Sequence, residues 1–144
     1  MNFGPAGNNA YVSVPDAAAG MFDTATMHDA ITFSLWIYGD ASEPANSSVF
    51  WASGNADGSG TRSAQAHLPW SDTVIYWDTA GCCDPALTRV SVGEPNPAKW
   101  RGAWNHYVFL KNGDTKEIWQ NGALLLQRVN TENLTPIRGF TIGA

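Results

Sequence analysis

The sequence predicts an all-β fold, and three observations carry the prediction. Helical patterning is nearly absent: only Asp16-Ala-Ala-Ala-Gly20 could open a helical turn, and Gly20 stops it. Short runs that alternate apolar and polar residues recur along the whole chain. Turn chemistry separates them, with Asn121-Gly122 the plainest case, because both residues of a tight hairpin turn need positive φ. Many short strands with frequent turns mean a sandwich or a barrel.

In chain order, Asn9–Pro15 alternates and ends at a proline. Ala30–Tyr38 is the clearest strand. It sets Ile31, Phe33, Leu35 and Ile37 on one face and Thr32, Ser34, Trp36 and Tyr38 on the other. Apolar residues on both faces predict a central strand partly covered on both sides. Ser48–Ala52 is a short strand before the flexible loop Gly54–Thr61. Gln65–Pro69 and Thr73–Trp77 flank a turn at Trp70–Asp72, and Leu87–Val92 alternates again. Trp104–Leu110 and Thr115–Gln120 are joined by Lys111–Asp114. Ala123–Gln127 follows the Asn-Gly turn, and Phe140–Ala144 closes the set. The expected core is Ile31, Phe33, Leu35, Val108, Leu110, Ile118, Leu124 and Ile142.

The 144 residues suit one domain, here 1–144, with enough length for a sizeable core. The 8 basic and 13 acidic residues leave a net charge of -5, a poor match for a nucleic-acid backbone. No apolar run approaches the ~20 residues of a membrane helix, and the opening MNFGPAG lacks a signal-peptide pattern. The seven Trp, six Phe and four Tyr make the chain rich in aromatics. The two cysteines are neighbours, Cys82 and Cys83, and His28, His67 and His106 are scattered, so no zinc set forms. Adjacency leaves two arrangements open: two free thiols in a loop, or a disulfide between neighbours that stiffens it.

Catalysis finds little support. Glycosidases need a close carboxylate pair, whereas Glu43, Glu94, Glu117 and Glu132 are far apart. No Gly-x-Ser-x-Gly elbow is present, and His106 and His67 read as structural, His106 as a core-facing, hydrogen-bonded histidine. The expectation is a protein that is not an enzyme. Sugar binding needs flat apolar surfaces with polar rims, which Trp and Tyr supply. Such groups concentrate at Trp70, Asp72, Tyr76, Trp77, Asp78 and the Cys82-Cys83 loop, the expected ligand site. By alternation at most one of Tyr76 and Trp77 is core. Trp100 and Trp104 around Arg101-Gly102 are a second candidate platform.

Five stretches in order resemble the laminin-G-like, concanavalin A-like jelly-roll domains of bacterial surface and secreted proteins. They are Asn2-Phe-Gly with Asn9–Pro15, Ile31–Ile37, Trp104–Val108, Lys116–Gly122 and Phe140–Gly143. His67–Trp70, Val74–Asp78 and Cys82-Cys83 are similar to a subgroup of large environmental-bacterial surface proteins. The resemblance implies an antiparallel jelly-roll sandwich and a non-catalytic, lectin-like module at the cell surface or outside the cell. The alternative it implies is a protein–protein adhesion module; a glycosidase relative stands third. It also implies calcium as a candidate ion in the loop of Asn55 and Asp57, with Asp72 and Asp78 next. The acidic residues of the family's opening are replaced by Gly4, Asn8 and Asn9, which weakens calcium there. The family continues past this last strand, so an unfinished sheet edge, paired with a second copy or another chain, is expected.

Overall fold

A computed structural model describes residues 11–15, 28–39, 48–70, 72–96 and 101–143. The turn expected at Asp16–Gly20, the opening Asn2–Gly4, Glu43 and Trp100 lie outside the described residues.

Among the described residues ten strands form two antiparallel sheets packed face to face, a sandwich of jelly-roll type. The strands are β1 (Val12–Pro15), β2 (Ala30–Tyr38), β3 (Ser48–Ser53), β4 (Arg62–His67), β5 (Val74–Thr79), β6 (Arg89–Gly93), β7 (Trp104–Asn112), β8 (Thr115–Gln120), β9 (Ala123–Val129) and β10 (Gly139–Ile142). One sheet runs β1-β10-β3-β4-β5-β6 and the other β2-β7-β8-β9.

The core forms where the inner faces meet. Phe33 of β2 lies with its ring centroid 4.2 Å from Phe50 of β3, 5.8 Å from Trp77 of β5 and 5.7 Å from Phe140 of β10. Ala52, Ala64 and Ala66 are fully buried beside these rings, small residues opposite large ones. The Trp77 indole N–H donates to the Leu110 carbonyl across the sandwich at 3.2 Å, which satisfies a buried donor.

Two expectations are corrected. β2 pairs β7 in full register and stands at an edge of the four-stranded sheet among the described residues; it is not central. Its Trp36 and Tyr38 face is open. Ile31, Phe33 and Ile118 are core as expected and Leu35 packs against it, but Val108 and Leu110 are not. Register pairs Phe33 with Phe109 and Leu35 with Tyr107, so the larger aromatics take the inner face of β7 and Val108 and Leu110 turn outward. Leu124 lies exposed on an edge strand, and Ile142, at the end of β10, is also exposed. Among the described residues β10 pairs β1 on one side and β3 on the other.

Candidate functional site

The outer face of the six-stranded sheet gathers most of the expected site residues. Cross-strand pairs run Ser13–Thr141–Trp51–Gln65–Asp78–Arg89, one row over all six strands. Alternation in β5 sends Tyr76 and Asp78 to this face and Trp77 to the core. Trp77 is fully buried and offers no surface to a ligand, a correction to its expected role.

Asp78 is also fully buried, and two arginines saturate it. Arg62 Nη1 donates to Oδ2 at 2.8 Å; Arg89 donates through Nε to Oδ1 and through Nη2 to Oδ2, both at 2.6 Å. The bidentate geometry of the second pair is the strong form of such contacts. The Arg62 guanidinium lies 5.1 Å from the Trp51 ring centroid and that of Arg89 lies 4.4 Å from Tyr76. Asp78 therefore works as a clamp between two cation–π pairs rather than as a sugar or calcium ligand.

The remaining expected residues sit at both ends of β5, Trp70 and Asp72 in the β4–β5 turn and Cys82 and Cys83 in the β5–β6 loop. The Tyr76 hydroxyl donates to Asp72 Oδ2 at 2.6 Å, which holds the Asp72 carboxyl below its usual range and raises Tyr76. His67 is buried, with its ring 4.3 Å from the half-buried Trp70. Cys82 and Cys83 are bonded to each other, and Arg89 Nη2 donates to Cys82 Sγ at 3.6 Å. Ala80, Gly81 and Cys83 all have positive φ in this tight loop. Trp70, Asp72 and Tyr76 are thus brought together while the Cys82-Cys83 loop lies at the opposite end of β5, and the rings of Trp70 and Tyr76 already have His67 and Arg89 as partners.

Asn55 and Asp57, the residues expected to hold calcium, bond within their own loop. Asn55 Nδ2 donates to Ser59 Oγ, and Asp57 Oδ1 accepts from the Ser59 N–H and hydroxyl. Among the described residues no group of three or more His, Cys, Asp or Glu side chains converges as a metal set would. Of the glutamates, Glu94 is buried and bonded to Tyr107 and Gln120, while Glu117 accepts from Trp119 and Gln127.

The open aromatic surface lies elsewhere, on the outer face of the four-stranded sheet. Trp36 is 64% exposed, Tyr38 48% and Trp104 60%. Register pairs Trp36 with His106 and Tyr38 with Trp104, and the ring centroids are 5.1 and 5.7 Å apart. His106 therefore faces outward, not into the core; its Nε2 lies 2.9 Å from Ser34 Oγ, which fixes the ring beside Trp36. Trp119 extends the surface on β8, its indole N–H held by Glu117 at 2.7 Å. Of this group sequence reasoning proposed only Trp104. The parity of β2 separates Trp36 and Tyr38 from Ile31, Phe33 and Leu35 in the sequence; what hid them was the expectation that β2 is central and partly covered on both sides, whereas it stands at an edge among the described residues.

No protein-family model matches the chain, and no curated protein sequence matches it. Among solved structures it is similar to the binding domain of botulinum neurotoxin DC in complex with SialylT. The TM-score is 0.67 at 12% identity, over 95% of this chain and 32% of that one. The chain spans about a third of the length of that structure. At this identity the likeness establishes the fold, an all-β sandwich.

Proposed function

We propose that the chain is a non-catalytic carbohydrate-recognition module of the laminin-G-like, concanavalin A-like type, acting at a cell surface or outside the cell. Its platform is the outer face of the four-stranded sheet. The observation that carries this reading is the exposed set Trp36, Tyr38 and Trp104, held on paired strands beside a hydrogen-bonded His106. Flat rings with little conformational freedom suit the apolar face of a sugar, and Ser34, His106 and the Tyr38 hydroxyl supply a polar rim. The binding domain with the same fold, solved with SialylT, supports it.

The test is a glycan array with the wild-type chain and with Trp36→Ala/Trp104→Ala. Saturable binding that falls at least ~10-fold in the variant, about 1.4 kcal/mol, is expected. Chelation is expected to leave it unchanged; loss with chelator would return calcium to the site. A protein–protein adhesion module is the second reading, favoured by Leu124 and the 72%-exposed Val129, which add apolar surface on β9. Absence of glycan binding, with capture of a protein partner that Val129→Asp abolishes, would favour it.

A further inference from the structure

A second aromatic-lined surface lies on the opposite side of the sandwich. A cleft of about 220 Å³ opens where β1, β10 and β3 meet the loop after β3, and Tyr11, Ser13, Trp51, Asp57, Gly139 and Thr141 line it. Ser13, Thr141 and Trp51 stand side by side through direct cross-strand pairing. The loop is pinned over them: the Trp51 indole N–H donates to the Gly58 carbonyl at 3.2 Å. Gly139 lets the loop approach, because a Cβ there would sit 2.5 Å from the Asn55 carbonyl oxygen and 2.6 Å from Ser53 Oγ.

The chemistry of the lining is one-sided. Asp57 is its one charged residue, and no Lys, Arg or His lines the cleft among the described residues. Ser59 occupies Asp57 Oδ1 with two donors, at 2.9 and 2.7 Å, whereas Oδ2 has no hydrogen bond among the described residues. The same two donors hold the exposed Asp57 carboxyl below its usual range, so it stays anionic in mildly acidic solution. With its N–H spent on Gly58, Trp51 has only ring surface to offer, and that ring already attracts the Arg62 guanidinium. Tyr11 is 59% exposed at the mouth. A bare metal ion would want more oxygens than this. A carboxylate beside aromatic rings matches a positive charge carried on an apolar frame.

We infer that this cleft binds an organic ammonium group, paired with Asp57 Oδ2 and laid against Trp51 and Tyr11. The net charge of -5 favours approach of such a ligand. A free quaternary amine and an amino sugar share this chemistry.

The test is an NMR titration of the full chain, following the Trp51 indole and Gly58 amide signals. The probes are choline, a glucosamine oligomer and its N-acetylated counterpart. Saturable shifts with either cationic probe, weakened at least ~10-fold by Asp57→Asn and by added salt, support the site. Choline alone would assign a quaternary amine; the glucosamine oligomer alone would assign an amino sugar. Tyr11→Ala, an exposed change, is expected to weaken binding without moving Tm, and Trp36→Ala/Trp104→Ala to leave it untouched. Three results overturn the inference: no shift with either cation, equal binding of the N-acetylated oligomer, or full affinity in Asp57→Asn.

Discussion

Asp78 shows how one side chain can look functional in sequence and be structural in the fold. It sits in the aromatic segment expected to hold a ligand, yet its carboxylate is fully buried and bonded by Arg62 and Arg89. Its partners come from β4 and β6, brought beside it only by register, so the sequence neighbourhood of Asp78 carries no sign of them. Asp78→Asn removes the charge that two partly buried guanidiniums share, and a cost of about 3 kcal/mol in urea unfolding is expected. Lys116 is the second such residue. Its ammonium is buried, donates to the Thr88 carbonyl at 2.7 Å and lies 5.4 Å from the Trp77 ring centroid. Burial pushes its pKa down to about 7 from an ordinary 10.5, with Asp78 opposing the shift. Below about 7 both folded and unfolded chains hold the proton. Between about 7 and 10.5 only the unfolded chain does, so this group makes stability rise with pH in that window. Lys116→Met is expected to raise Tm at pH 6, and its advantage over wild type to shrink as pH approaches 10; an advantage independent of pH would refute the burial account.

At the scale of elements, strand existence was largely legible, and so was parity in β2, but not in β7. Thr115–Gln120 was read to the residue, and Ala30–Tyr38 emerged with its two faces assigned correctly. In β7 the aliphatic pair Val108 and Leu110 suggested the inner face. The structure instead buries Tyr107, Phe109 and even Lys111, whose Nζ reaches the Gly113 and Asn130 carbonyls. Alternation alone cannot choose between two apolar faces; pairing with Phe33 does. The hairpin signal was sound, because Asn121 and Gly122 both take positive φ, at 50° and 82°. Asn121 Oδ1 also accepts from the His106 N–H, which ties this turn to the strand that carries the aromatic platform. Gly122→Ala is expected to cost about 1–2 kcal/mol, read from urea midpoints, since a Cβ disfavours that backbone region. No change would mean that the turn relaxes to another form.

For the whole molecule, the sandwich presents two dissimilar surfaces. The six-stranded sheet offers a row with one buried carboxylate, Asp78, clamped by two arginines, and a cleft at its β1 edge. The four-stranded sheet offers open rings and little charge. The candidate site in the sequence, Trp70 to Cys83, rested on local concentration of aromatics. That signal found Trp70, Asp72 and Tyr76, which do come together, but it could not show that their rings are already partnered. Exposure is a property of sheet order, and sheet order places β2 at an edge with Trp36 and Tyr38 outward. The most direct test follows the tryptophan indole signals by NMR while the best glycan from an array is added. The account predicts that the indoles of Trp36 and Trp104 shift and saturate together, while those of Trp70 and Trp77 stay in place. Shifts confined to Trp70, with Trp36 and Trp104 unmoved, would contradict it.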